Sequence, residues 1–377
     1  MTIYFVAGEA SADNHAAALM YSLRERDADL QFIGRGGPQM RKIAGKQFKN
    51  WIDEAAVLGL WEVIRKYGYF REQFHETLNE IQESKPDAIV LIDYPGFNLR
   101  LARALRKESP RQKIIYYISP QVWAWNRGRI KKMARFLNLM LCIFPFEADL
   151  YNKSGLRAVF VGHPMIERLR AGKIDTERDR NLIGLFPGSR MREVRKIFPV
   201  MLESVPELQK QNCNMCFEVA AASEELAREM RKMLDQRGQD QQSIQIKVGE
   251  TAALMQRAFA GIVASGSATL EAAYFRLPFV LIYKVAWPTY LAARLVVSVK
   301  YLGMPNVLAD REVVPEFIQH RARPDAIVKA VRQLIADADA RDRMISEFDR
   351  IVGKLGEGGA SDQAARAIVE EIGAKSI

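Results

Sequence analysis

The sequence predicts an α/β protein built from two doubly wound parallel-sheet domains facing a cleft. Three observations carry that expectation. Apolar, strand-like runs alternate with helix-periodic segments along both halves, the pattern of a parallel sheet covered on both faces. At 377 residues the chain exceeds the roughly 250–300 at which a single hydrophobic core stops growing. Midway, the strand-like run 182–186 breaks at Pro187-Gly188-Ser189-Arg190, and the alternation then starts again.

In order, residues 2–7 read as a strand, followed by a helix through 15–26 and a short strand at 32–34. Gly34-x-Gly36-Gly37-Pro38 lacks the third glycine of a dinucleotide fingerprint and reads as a turn. Helices fill about 55–84, and the wholly apolar run 88–92 is a buried strand. A helix follows at 99–107, with Asn98 placed to cap it. Strands at 114–118, 139–144 and 158–161 complete the first half, with a basic helix near 127–136. Charged, aperiodic residues 175–181 suit a linker. Strands at 182–186, 215–221, 244–248, 261–264 and 279–282 build the second half, and 324–377 reads as two or three helices. The expected division is 1–175, 176–345 and a helical tail, 346–377, packing near the first domain.

Composition narrows the function. Apolar residues at 49% and charged residues at 27% describe a globular chain, and the formal charge of +10 favours anionic partners. The basic residues are dispersed and no nucleic-acid recognition motif accompanies them, so nucleic acid is not an expected partner. No run approaches the 18 or so apolar residues of a spanning helix, and the N-terminus reads as a strand rather than a signal peptide. A cytoplasmic protein follows, soluble or peripheral on the inner face of the membrane. Cys213-x-x-Cys216 has no second pair, the four histidines are scattered, and Cys216 reads as a buried strand residue, so no metal or other cofactor is expected.

Chemistry concentrates at strand ends. Gly8-Glu9-x-Ser11-x-Asp13 follows the first strand, where open α/β sheets bind ligands. Glu9 reads as a ligand acceptor, and Ser11 or Asp13 as either a ligand group or a helix cap. Asp93 ends an apolar strand beside Tyr94 and Phe97, and with Asn98 taking the cap it is left as a general base for a hydroxyl. Gln121, Trp123 and Trp125 form either a sugar platform or ordinary core. Arg127, Arg129, Lys131 and Lys132 form either a solvated face or a contact for anionic lipid or phosphate. Two turns, Gly188-Ser189-Arg190 and Ser265-Gly266-Ser267-Ala268-Thr269, bring small residues to helix starts where a diphosphate can approach backbone N–H groups. Glu271 either complements its helix dipole or accepts from a ribose. Val57, Leu60, Trp61, Ile64 and Tyr67 fall at helical spacing, a stripe that serves a core or lies on acyl chains at a membrane.

Taken together, these segments resemble the lipid-A-disaccharide synthases, glycosyltransferases of the GT-B fold, in which two Rossmann-like domains face one another. The resemblance runs through most of the chain: Gly8-Glu9-x-Ser11, Asp93-x-Pro95-x-Phe97-Asn98, Ser119-Pro120-x-Val122-Trp123-Ala124-Trp125, Val161-Gly162-His163-Pro164, Pro187–Arg190, Ala264-Ser265-Gly266-x-Ala268-Thr269-Leu270-Glu271 and Pro305-Asn306. It implies metal-independent, inverting transfer from UDP-2,3-diacylglucosamine to 2,3-diacylglucosamine 1-phosphate, forming a β(1→6) bond and releasing UDP. By the same resemblance Asp93 is the essential aspartate and Arg190 the functional arginine that stabilises the departing diphosphate. Glu193, Ser267, Thr269, Glu271 and Asn306 would surround the donor nucleotide. Gly8, Glu9, Ser11, Asp13, Asn98, Gln121, Trp123 and His163 would lie toward the acceptor sugar. An anionic inner-membrane surface is an implied partner, and the oligomeric state is left open, a homodimer included. Two residues depart from the family pattern: Gly96 stands where a second aspartate is common, and Ala12 where glycine is common. Other readings are a different UDP-sugar enzyme of this fold, an epimerase or muramyl-type transferase, or a non-catalytic membrane-surface protein.

Overall fold

The computed structural model describes residues 1–46, 48–52, 67–126, 128–210, 212–238, 243–297 and 299–373, with backbone alone for Tyr67, Thr289, Ala292, Ala293, Leu295 and Val296. Two compact units divide the chain, Met1–Pro164 with Leu355–Ile377, and Met165–Lys354.

In the first unit, β1 (Thr2–Ala7), α1 (Ala10–Arg26), β2 (Gln31–Gly36), α2 (Pro38–Ala44), β3 (Lys49–Asn50) and α3 (Tyr67–Ser84) are followed by β4 (Ala88–Ile92) and α4 (Pro95–Glu108). Then come β5 (Lys113–Tyr117), α5 (Val122–Trp125), α6 (Gly128–Met133), β6 (Leu139–Cys142), α7 (Pro145–Asn152) and β7 (Ala158–Phe160). The strands form one parallel sheet in the order β3-β2-β1-β4-β5-β6-β7. Strand order therefore reverses between β1 and β4, and ligands of open α/β sheets bind outside the carboxyl ends at such a point. Register sets Ala7 beside Ile92 and Ile92 beside Tyr117, so the residues after all three strands emerge together. Every residue of β4 is fully buried, which is why its sequence is apolar without alternation.

Several local expectations change. The first helix starts at Ala10, with Glu9 as an N-cap that makes no side-chain capping bond, so neither Ser11 nor Asp13 caps it. The glycine-rich run 34–38 is not a simple turn. Gly34 lies within β2 at φ +130, where a Cβ would come 2.1 Å from the Phe5 carbonyl oxygen, and Pro38 opens α2 at its first position. Helix α4 likewise starts at Pro95, which places Asn98 inside it and removes Asn98 as its cap. Arg35, wholly buried, donates to Glu80 (Nη2–Oε1 2.7 Å) and Glu76 (2.9 Å), and Tyr4 donates its hydroxyl to Glu80 (2.6 Å). That network ties α3 to the sheet and holds the Glu80 carboxyl below its ordinary pKa against the burial that would raise it.

The second unit runs α8 (Met165–Ala171), β8 (Asp179–Phe186), α9 (Met191–Gln209), β9 (Cys216–Ala221), α10 (Glu224–Gln236), β10 (Ile244–Val248), α11 (Thr251–Arg257), β11 (Ala258–Ala264) and α12 (Ala268–Tyr274). It continues through β12 (Phe279–Tyr283), α13 (Trp287–Val296), α14 (Met304–Ala309), β13 (Glu316–Ile318), α15 (Pro324–Ala336) and α16 (Ala338–Gly353). Its parallel sheet has the order β10-β9-β8-β11-β12-β13, with the reversal between β8 and β11. Asp179–Asn181, expected in a linker, begin β8, and Cys216, expected buried, is exposed at the start of β9. The last helix, α17 (Ala360–Gly373), packs on α1 with Ala364, Ala365, Ala367 and Ile368 in the core of the first unit. Among the described residues, no helix is long and apolar enough to cross a membrane.

Candidate active site

In the first unit the strand-end residues converge on Asp93. The backbone of Asp93 and Tyr94 is left-handed, at φ +47 and +49, and the Asp93 N–H donates to the Tyr117 carbonyl at 3.0 Å. Asn98, fully buried, donates its amide to the carbonyls of Ile92 (3.2 Å) and Asp93 (2.8 Å), and Tyr116 donates its hydroxyl to the Asp93 carbonyl. Asn98 thus fixes the loop that carries the aspartate. The Tyr94 ring covers Gly8 so closely that a Cβ there would lie 2.4 Å from Tyr94 Cδ1. Burial raises the Asp93 carboxyl from 3.8 to about 6, the Glu9 charge adds to the rise, and the Tyr94 backbone N–H opposes it. Burial and Glu9 also push Tyr94 up to about 12. A half-buried carboxylate of raised proton affinity at a sheet's switch point suits proton abstraction near neutral pH.

The other first-unit candidates divide. Gly8 is buried, while Glu9, Ser11 and Gln121 are exposed. Asp13 is 2% exposed and accepts from the backbone N–H groups of Gly37 (3.0 Å), Gln39 (2.9 Å) and Met40 (3.0 Å), capping α2 across 24–27 residues of sequence. We expect Asp13→Ala to lower unfolding free energy by about 2 kcal/mol, because buried amides lose a charged acceptor. Urea unfolding measures it, and Asp13→Asn should leave kcat unchanged where the protein is folded; a large kcat loss would move Asp13 into the site. Trp123 is not an exposed platform: it is buried against Phe146 (centroids 4.9 Å apart) and donates Nε1–H to Glu147 at 2.8 Å. Trp125 is the exposed one, with the Arg129 guanidinium over its face at 4.9 Å. His163 is half-buried beside Phe144, and its backbone N–H meets the Leu355 carbonyl at 2.8 Å, where the C-terminal segment rejoins this unit.

The second unit brings its two small-residue turns to one sheet edge, since Phe186 pairs with Val263 in register and β11 continues only to Ala264. Gly188 has φ +107, and a Cβ there would meet Glu193 Oε2 at 2.7 Å. Ser189 and Arg190 are exposed. Arg190 is the N-cap of α9, and its guanidinium meets Glu193 Oε1 at 3.3 Å. Gly266 (φ +151) and Ser267 are exposed at the other turn, and Ser265 and Ala268 are half-buried. Thr269 is buried and donates its hydroxyl to the Gly266 carbonyl at 2.8 Å, which shapes the turn. Glu271 pairs with Arg168 at 3.0 Å. Asn306 lies buried away from the surface: it accepts from Val313 (2.7 Å) and Val314 (2.9 Å) and donates to the Val314 carbonyl and Glu316 (both 2.8 Å). Its amide therefore folds the segment leading into β13.

Val57, Leu60, Trp61 and Ile64 lie outside the described residues, as does the side chain of Tyr67. Tyr94, already read beside Asp93, walls its loop. Two site neighbours escape a linear reading. Tyr283 at the end of β12 feels both Glu193 and Arg190. Glu147, fully buried under Trp123, is raised by burial to about 7 despite the opposing hydrogen bonds of Trp123 and the Phe144 backbone. Phe144-Pro145-Phe146-Glu147 after an apolar run was the available signal, a helix start whose glutamate reaches back to the Phe144 N–H (3.3 Å).

Comparison with known proteins identifies the fold and the family. Among solved structures, UDP-GlcNAc 2-epimerase from Neisseria meningitidis has a TM-score of 0.64 at 12% identity, covering 98% of this chain and all of that one. MurG from Acinetobacter baumannii has a TM-score of 0.54 at 14% identity, covering 98% and 99%. At such identities the likeness is one of fold, which is GT-B. Sequence relatives carry more. The lipid-A-disaccharide synthase of Geobacter sulfurreducens is 37% identical over 379 residues, covering 98% of this chain and 97% of its own. That of Myxococcus xanthus is 34% identical over 376 residues, with the same coverage. The family model described as lipid-A-disaccharide synthetase matches residues 3–368, so the chain belongs to the lipid-A-disaccharide synthetase family.

Proposed function

We propose that the chain is an inverting glycosyltransferase joining UDP-2,3-diacylglucosamine to 2,3-diacylglucosamine 1-phosphate, with the β(1→6) disaccharide 1-phosphate and UDP as products. The observation that carries this reading is the family match over residues 3–368. The carboxylate at Asp93, raised toward neutrality, supports the chemistry. In the proposed step the acceptor O6–H gives its proton to Asp93 as the O6–C1 bond forms. The bond from C1 to the diphosphate oxygen breaks, and the electron pair leaves with UDP. Arg190 and the N–H groups opening α9, a helix of 19 residues, meet the charge that develops there. Attack opposite the leaving group inverts the anomeric centre, and one base suffices. Diacylated substrates and a net charge of +10 support peripheral association with an anionic inner-membrane surface.

The test is direct. Purified protein incubated with the two diacylated glucosamine substrates should yield a disaccharide 1-phosphate and UDP, identified by mass. Hydrolysed donor without disaccharide would overturn the assignment.

A further inference from the structure

A groove of about 740 Å³ in the first unit runs between α4 and the segment of α6 and its flanks. Among the described residues, seven arginine and lysine side chains line it and no carboxylate does. Arg106 is committed to structure, donating to the Asn138 side chain and to the carbonyls of Pro110 and Phe136, and burial lowers its pKa. The other six, Arg100, Arg103, Lys107, Arg129, Lys132 and Arg135, are exposed, and none joins an ion pair among the described residues. A row of like charges without counter-charges repels itself, and an anion in the groove would relieve that repulsion.

Its position says which anion. Pro95 and Gly96, directly after the Asp93 loop, line one end, and a Cβ on Gly96 would meet open space. Asn126 and Arg129, which follow α5, line the same groove. A helix rises about 1.5 Å per residue, so Arg100 lies roughly 7 Å and Arg103 roughly 12 Å along α4 from Pro95. The acceptor hydroxyl to be deprotonated is on C6, and its phosphate is on C1, across the ring. With C6 at Asp93, a phosphate on the far side of the ring is displaced by a distance comparable to the rise along α4 from Pro95 to Arg100. Arg129, whose guanidinium lies over the Trp125 ring at 4.9 Å, is exposed and lines the same groove.

We propose that this groove seats the anomeric phosphomonoester of the acceptor, with Arg100 and Arg129 as its ligands. A planar guanidinium fork suits two phosphate oxygens, and two such forks suit a dianion. The assignment rests on the transferase reading and adds to it a basis for choosing a phosphorylated acceptor.

The experiment uses the full chain in mixed micelles with the diacylated donor and two acceptors, 2,3-diacylglucosamine 1-phosphate and the same sugar without phosphate. Wild type should favour the phosphorylated acceptor in kcat/KM by tenfold or more. Arg100→Gln and Arg129→Gln should each raise KM for that acceptor by roughly 10–100-fold, the range of a lost charged hydrogen bond. Neither should alter the dephosphorylated acceptor or donor KM. Equal losses on both acceptors would overturn the seat, as would unchanged kinetics. Unchanged kinetics with weaker sedimentation on phosphatidylglycerol vesicles would assign the groove to bilayer headgroups instead. A measurement on wild type guards against misfolded variants: inorganic phosphate should compete with the phosphorylated acceptor only, and failure to compete overturns the proposal. Absence of disaccharide from both acceptors would sink the transferase reading itself, a distinguishable outcome.

Discussion

Asp93→Asn is expected to lower kcat for disaccharide formation by roughly 10²–10⁴-fold, the usual contribution of a general base, with KM for both substrates nearly unchanged. Asparagine is the informative replacement because position 93 has φ +47, a conformation that Asn and Asp tolerate better than other L-residues. The loop should therefore persist while the proton acceptor is lost. The same substitution should stabilise the fold. Burial, followed by the Glu9 charge, raises the Asp93 carboxyl from 3.8 to about 6, so the ionised form is disfavoured in the native state. The sign follows from linkage: such a group favours the fold below about 4, and that contribution is lost as pH rises through about 6. Two pKa units correspond to about 3 kcal/mol, and solvent access at a half-buried site reduces that to roughly 1–2 kcal/mol at pH 8. Asp93→Asn should thus gain stability at pH 8 and none near pH 4. In wild type the rate should fall about tenfold per pH unit below 6, and Glu9→Gln should move that limb toward lower pH. A pH-independent stability change, or a full-rate Asp93→Asn enzyme, would remove Asp93 as the base.

How far the sequence reaches is clear from particular residues. Strand β4 was legible because five apolar residues in a row can only be buried on both faces, and the turns after Phe186 and Ala264 were legible because glycine and serine interrupt apolar runs. The start of α4 is also written in the sequence, since Pro95 is a helix-opening signal at the first position. What stayed hidden depends on partners distant in sequence. Asp13 has the composition of a local cap, yet its amides lie 24–27 residues on. Arg35 looks like a solvated charge in the linear text, but Glu76 and Glu80, 41 and 45 residues later, make it a buried one. Residue type leaves Trp123 open between a sugar platform and core, and only the family resemblance points Asn306 toward the donor. Their hydrogen-bond partners, Glu147 for the indole and the 313–316 segment for the amide, show that each is already occupied. Residues that end strands are readable in the sequence; those whose partners lie far along the chain are not.

Arg190→Ala is the second large effect expected, a fall in kcat of roughly 10²–10³-fold, comparable to removing one preorganised donor from a developing oxyanion. Arg190 is 71% exposed on its side chain, and its ion pair with Glu193 at 3.3 Å is of the surface kind that contributes little to folding. Truncation should therefore leave the melting temperature nearly unchanged, which separates this residue from a structural arginine such as Arg35. At rest Glu193 offsets the guanidinium charge, and a diphosphate with more negative charge would displace it. Because that charge peaks as the C1–oxygen bond breaks, the loss should appear in kcat more than in donor KM. Arg190→Lys should recover only part of the rate, since an ammonium is a point charge without the planar fork that spans two phosphate oxygens. Added guanidinium ion should restore a fraction of the Arg190→Ala rate and leave Arg190→Lys unaffected. Steady-state kinetics with both substrates varied would decide the matter: a defect confined to donor KM would make Arg190 a binding residue and leave the departing diphosphate to the α9 N-terminus alone.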